Sequence, residues 1–224
     1  MSDAIPYNPL DKKNLGASVA EALLGRKPRP LGELIAFHGA GIYAIYYRGK
    51  APAYERLAHR NHGDDPQAPI YVGKAIPEGA RKGGIGIEGV KTRALYKRLS
   101  EHADSIRATP SLDIADFVCR YLVVDDIWIP LGESLLIAKF TPIWNSLIDG
   151  FGNHDPGKGR YQGMRPRWDV LHPGRSWAEK CGPRQETAEQ IEREVRSHLE
   201  LTQPPAHTHF YAEQKRGEYR VEPG

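Results

Sequence analysis

The spacing of apolar residues along this 224-residue chain changes period several times, and each change marks an element. Leu15, Val19, Ala22 and Leu23 recur at helical spacing and predict a short helix in an amino-terminal arm, stopped by Gly25 and Pro28. Ile42 to Tyr47 and Ile70 to Gly73 are rich in β-branched and aromatic residues and predict paired strands. Between them, 48–69 is too long for a tight hairpin and is an insertion, with a helical turn expected near Tyr54-Glu55-Arg56-Leu57-Ala58. A helix is predicted from about Val90 to Ile106. A strand follows from Phe117 to Val124, with Ile127 to Ile129 as an extension after a turn at Asp125-Asp126. Pro130 opens a helix over Leu131 to Phe140, which Thr141-Pro142 ends. An amphipathic helix spans Ala188 to Leu201, and the tail from Pro204 is polar. Helices and strands in this order lack regular βαβ alternation and indicate an α+β domain.

Composition narrows the classes. Only 40% of residues are apolar, and 23 glycines and 18 prolines imply much loop or extended arm around a modest core. The formal net charge of +3 is uninformative as a total, but its distribution is uneven. Between Phe151 and Arg184, Lys158, Arg160, Arg165, Arg167, Arg175, Lys180 and Arg184 face only Asp155, Asp169 and Glu179, whereas 185–200 is acidic. Segregated charge suits a polyanion-binding face, and solvated loops beside a solvated helix account for it equally. Cys119 and Cys181 are too few for a disulfide framework or a cysteine zinc site, which favours reducing cytosol. No signal-like amino terminus and no run near ~20 apolar residues is present, so no membrane partner is expected.

Several residues invite chemistry. Arg98 and His102 are four apart on a predicted helix and share a face, where they can meet one phosphate or simply face solvent. Glu133 stands near the start of an apolar helical turn. There it complements the helix dipole or, alternatively, serves as the single carboxylate that Mg²⁺ often takes from a protein. Tyr43 and Tyr71 lie on adjacent predicted strands; a phenol acts as a base only with help from cations or acceptors such as Arg98, His102 or Lys74. Two tyrosines, an arginine, a histidine and a carboxylate together suit phosphodiester hydrolysis. Gly84, Gly86 and Gly89 satisfy GxGxxG literally. The dinucleotide reading still fails, because about ten loop residues separate them from the strand where the motif needs direct succession. Arg81 and Lys82 in that loop are candidates for phosphate contact.

The order of these residues resembles the GIY-YIG nuclease superfamily. Gly41-Ile42-Tyr43 corresponds to its first signature and Tyr71-Val72-Gly73 to its second, with valine for isoleucine. Arg98 and His102 match its arginine and histidine helix, Glu133 its metal-binding glutamate and Asn145 its later asparagine. The match covers about Gly39 to Ser146. The chain departs from many relatives in the long segment between the signatures.

The resemblance implies a small three-stranded antiparallel sheet flanked by helices, with an arm at 1–38, a core at 39–149 carrying the insertion, and a DNA-contacting extension at 150–224. It implies one Mg²⁺, replaceable by Mn²⁺, held by Glu133. Tyr43 would activate water, His102 take its proton, and Arg98 stabilise the phosphorane, with Tyr71 and Lys74 orienting the centre and Asn145 supporting it. The whole-chain layout, including 149–154 and 168–175, resembles type II restriction endonucleases that cut CCGCGG. A palindromic duplex DNA target implies a homodimer, with the amino-terminal arm as a candidate contact. Arg160, Arg165 and Arg167 are candidates to read guanine, with Lys158 beside them among the DNA-binding residues. The alternatives are a structure-selective repair or recombination nuclease and a DNA-binding module without activity.

Overall fold

A computed structural model describes residue 8 and residues 10–77 and 92–202. The glycine-rich loop with Arg81 and Lys82, the predicted start of the following helix at Val90, and the tail from Pro204 lie outside the described residues. The chain order is α1 (Lys12–Leu24), β1 (Arg29–Pro30), β2 (Gly41–Tyr47), α2 (Glu55–Arg60), β3 (Tyr71–Ala75), α3 (Ala94–Arg107), β4 (Phe117–Val123), α4 (Ile129–Phe140), α5 (Ile143–Ser146), α6 (Arg167–Leu171) and α7 (Ala188–Leu201).

The strands form one antiparallel sheet in the order β1-β4-β2-β3, so four strands replace the expected three. The addition is β1, two residues that pair with Cys119 and Val118 at the edge of β4. Two residues are too short for any periodicity to register. The central strand β2 is buried along its whole length because both faces of the sheet are covered. Tyr43, Ile45 and Tyr47 face one cluster with Leu95, Leu99, Phe117, Trp144 and Phe151, while Ile42, Ala44 and Tyr46 face another with Ala20, Leu23, Ile129 and Leu136. Trp168, Ile191, Val195 and Leu199 belong to the first cluster, so α6 and α7 pack into the same core as the sheet.

Two details differ from expectation. Helix α1 buries Asn14, Gly16, Ala17 and Ala20 beside the expected Leu23, while Leu15 and Val19 are half-buried and Ala22 is exposed, because Gly16 lies so close against Leu131 and Leu135 of α4 that no larger residue fits there. The arm thus covers the core of its own chain. Ile127 to Ile129 is no strand extension: Asp125 O accepts from Trp128 N at 3.0 Å, and α4 begins at Ile129 with Pro130 in its first turn. Thr141 then closes α4 in the left-handed conformation ahead of Pro142. No helix among the described residues is long and apolar enough to cross a membrane.

Candidate active site

Tyr43 sits at the middle of the sheet, paired across to Gly73 on β3 and to Tyr121 on β4. Gly73 explains why this position admits no side chain: a Cβ there would stand 2.4 Å from Tyr43 Oη. The phenol therefore lies over the β3 backbone and reaches α3, where its oxygen is 2.6 Å from Nε2 of His102. Both groups are buried. Burial holds the Tyr43 hydroxyl well above its ordinary pKa, with Tyr71 adding to the rise and Arg98 opposing it. Burial likewise holds His102 well below its ordinary value, with Arg98 adding to the depression. The pair at neutral pH is thus a protonated phenol donating to a neutral imidazole, which is poised to accept that proton.

One helical turn before His102, Arg98 spreads its guanidinium over the same face. Its Nη2 donates to Gly152 O at 2.6 Å and its Nη1 to Nε2 of His154. Tyr71 completes the cluster, with its ring 6.2 Å from that of Tyr43 and 5.2 Å from His102. Glu133 comes from the other side of the sheet. Its carboxylate meets Lys74 Nζ at 2.6 Å at the rim of β3, where the lysine is 38% and the glutamate 16% exposed. Alternation along β3 sends Gly73 towards Tyr43 and Lys74 towards α4, so one dipeptide serves both sides. Asn145 on α5 closes the outer edge of β3: its Oδ1 accepts from Val72 N and its Nδ2 donates to Val72 O, both at 2.8 Å. It acts on the strand's backbone, as a support.

Among the described residues no group of three or more His, Cys, Asp or Glu side chains converges on one point. A hard cation at Glu133 would have this carboxylate, with waters and substrate oxygens filling the rest of its shell, which is a chemistry Mg²⁺ accepts. Lys74 would have to yield part of its ion pair.

The candidate DNA contacts divide. Lys158 and Arg160 are exposed. Arg165 donates to Ala178 O and Glu179 O, and Arg167 donates to Leu147 O at 2.8 Å while pairing with Glu186 and Glu194, so both are engaged within the chain. Arg175, counted above towards a basic face, is buried. It forms a two-pronged pair with Asp169 at 2.7 and 2.6 Å, donates to the carbonyls of Gly150, Phe151 and Asn153, and lies between Trp168 and Trp177. This clamp fixes a loop that residue-by-residue reading did not assign to the site. Phe151 stacks on His102 at 4.5 Å, Gly152 abuts Tyr71 Oη and Arg98, and His154 meets Arg98. The available signal was the glycine-flanked aromatic in Asp149-Gly150-Phe151-Gly152-Asn153-His154, a stretch noticed for its place in the chain and not for its chemistry.

A mixed sheet-and-helix core with paired tyrosines, an arginine and histidine one turn apart and a rim glutamate defines a nuclease of the GIY-YIG kind. The family model for the Eco29kI GIY-YIG domain matches residues 35–199, and the chain belongs to this family of restriction endonucleases, which are DNA hydrolases. GIY-YIG nucleases generally use a divalent metal ion. No curated protein matches the chain.

Proposed function

We propose that this protein is a type II restriction endonuclease that hydrolyses both strands of a short GC-rich palindrome. Eco29kI is a type II restriction enzyme of the sequence CCGCGG, and the same or a closely related site is the natural first candidate here. The observation that carries the reading is the 2.6 Å contact of Tyr43 Oη with a neutral, buried His102 beside the Arg98 guanidinium.

In this reading Tyr43 takes a proton from the attacking water as it passes its own to His102, and Arg98 exchanges its loop partners for the non-bridging oxygens of the scissile phosphate. Tyr43 is fully enclosed in the free protein, so that exchange also has to open the phenol to water. Glu133 holds the divalent ion, which when bound supplies charge neutralisation at the phosphate. Lys74 orients Glu133, Tyr71 lines the phosphate side and Asn145 keeps β3 straight. Two cuts across a palindrome call for two sites related by a twofold axis, hence a homodimer on duplex DNA. Exposed Lys158 and Arg160 are the stronger candidates for DNA contact; Arg165 and Arg167 would first have to leave their present partners.

The test is digestion of plasmid of known sequence in Mg²⁺ by the unaltered protein, Glu133→Ala and Tyr43→Phe. Discrete fragments from the unaltered protein are expected, with cleavage lost in Glu133→Ala and reduced on the order of 100-fold or more in Tyr43→Phe. DNA binding should persist in both variants. Intact plasmid alongside cleaved branched DNA would instead establish a structure-selective nuclease, and binding without any cleavage a DNA-binding module.

A further inference from the structure

We propose that His154 is the acid that protonates the leaving oxygen, with Glu101 as its positioning residue; this rests on the phosphodiester-hydrolysis reading above. The ring's orientation follows from its partners. Arg98 Nη1 contacts His154 Nε2, and a guanidinium can only donate, so Nε2 carries the lone pair and the ring proton sits on Nδ1. Nδ1 in turn lies 3.7 Å from Glu101 Oε2, which also stands 3.5 Å from Arg98 Nη1. A carboxylate behind one ring nitrogen, with the other directed at the group that would hold the phosphate, is the arrangement that orients a histidine for proton transfer.

No other described side chain of the site suits this task as well. His102 is enclosed and already receives the Tyr43 proton, and Lys74 is tied to Glu133. His154 is 62% exposed at the wall of an open cleft shared with Lys74, Arg93, Lys97, Arg98 and Glu101, so it can take up a proton from solvent between turnovers. Its own segment adds Asp155 and Arg160 on the far side. The backbone beneath the ring is anchored, since Asn153 O accepts from Arg175 Nη1 at 3.2 Å.

When a non-bridging phosphate oxygen takes over Arg98 Nη1, it displaces His154 Nε2, which is left beside the same phosphate and facing its leaving oxygen. The ring, protonated from solvent on Nε2 and faced by the Glu101 carboxylate, then donates. Water attacks phosphorus and its proton passes to the Tyr43 and His102 pair. The bond from phosphorus to the leaving oxygen breaks with its electron pair on that oxygen, and the Nε2 proton moves to it. The imidazole is left neutral with its lone pair on Nε2, able to meet Arg98 again, and the proton held by Tyr43 and His102 returns to solvent.

The experiment measures single-turnover cleavage of a duplex with a mapped cut by the full-length protein, His154→Ala, His154→Gln and Glu101→Gln. A matched duplex carries sulfur in place of the bridging oxygen that leaves, because a thiolate departs without needing a proton. His154→Ala and His154→Gln are expected to lose on the order of 100-fold on the oxygen duplex with DNA affinity unchanged, and to recover the unaltered enzyme's rate on the sulfur duplex. Glu101→Gln should lose less and be rescued in the same way. Equal losses on both duplexes, or an undiminished rate on the oxygen duplex, would overturn the assignment. If the unaltered protein cuts neither duplex, the hydrolysis reading itself fails and this inference with it; if it cuts and sulfur does not rescue, this inference alone fails.

Discussion

Replacement of Arg175 by alanine tests whether the site depends on a clamp that touches none of the reacting atoms. The side chain pairs with an Asp169 carboxylate that is 1% exposed, supplies donors to three loop carbonyls and lies between two indole rings. Removing one partner of such a buried pair strands the other, at a cost of about 3–5 kcal/mol. Against a total stability of roughly 5–15 kcal/mol this is severe but survivable. For a chain of this length it corresponds to a fall in Tm of roughly 6–20 °C. Burial already pushes the Asp169 carboxyl up while Arg175 holds it down, so without the arginine it rises further. A raised folded pKa means the folded variant binds a proton that the unfolded chain does not, and its stability therefore improves as pH falls. The deficit should accordingly narrow between pH 7.5 and 5. Calorimetric melts of the parent and Arg175→Ala across that range read both effects. Arg175→Met combined with Asp169→Leu should restore much of the stability, since it removes both charges, yet leave cleavage impaired because the carbonyls of 150–153 still lack their donor. A Tm within 2 °C of the parent's, or full cleavage by the restored double variant, would refute the clamp.

Gly73→Ala puts a methyl group against Tyr43 Oη and should cost about 1–3 kcal/mol while sharply lowering cleavage, because the displaced phenol loses its contact with His102; a normal cleavage rate by this variant would contradict the geometry. Asn145→Ala removes both bonds to Val72, costs about 1–3 kcal/mol and speeds hydrogen exchange at the Val72 amide; unchanged exchange would show that the edge of β3 is held otherwise. Burial lowers His172 to about 3, where Tyr54 Oη and Ser111 Oγ engage its two nitrogens, and lowers His102 in the same direction. Below about pH 6.5 the unfolded chain therefore takes up protons that the folded one refuses, and stability falls by about 1.4 kcal/mol per pH unit for each ring. Melts should drop from pH 7.5 to pH 5, and His172→Gln should flatten the slope; a pH-independent Tm would refute it.

Much of the fold was legible because its elements obey a single period over several residues. Strands β2 and β4 follow from their runs of β-branched and aromatic residues, and helix α4 and the amphipathic α7 from helical spacing and proline placement. What escaped depends on neighbours remote in sequence. The buried face of α1 is chosen by the proximity of α4, which rewards Gly16 and Ala17 over Leu15. Arg175 was indistinguishable from its exposed neighbours, because a string of letters does not show that Asp169 and two tryptophans enclose it. His154 carried no signal of its own; its meaning comes from Arg98 and Glu101, more than fifty residues earlier.

The same logic explains why the site straddles the rim of β3. Under the proposed mechanism a phosphodiester must touch Arg98 on one face of the sheet and the ion held by Glu133, whose helix packs on the other. Gly73 and Lys74 turn to those opposite faces from adjacent positions, so the substrate backbone has to cross the edge of the strand at this dipeptide. An exposed edge normally recruits another strand. Here Asn145 already occupies the amide and carbonyl of Val72, which denies the edge to a competing strand at the residue just before the crossing. The absence of a side chain at Gly73 then does two things at once: it admits the Tyr43 phenol from within the sheet and adds no side chain at the rim where the phosphate must pass.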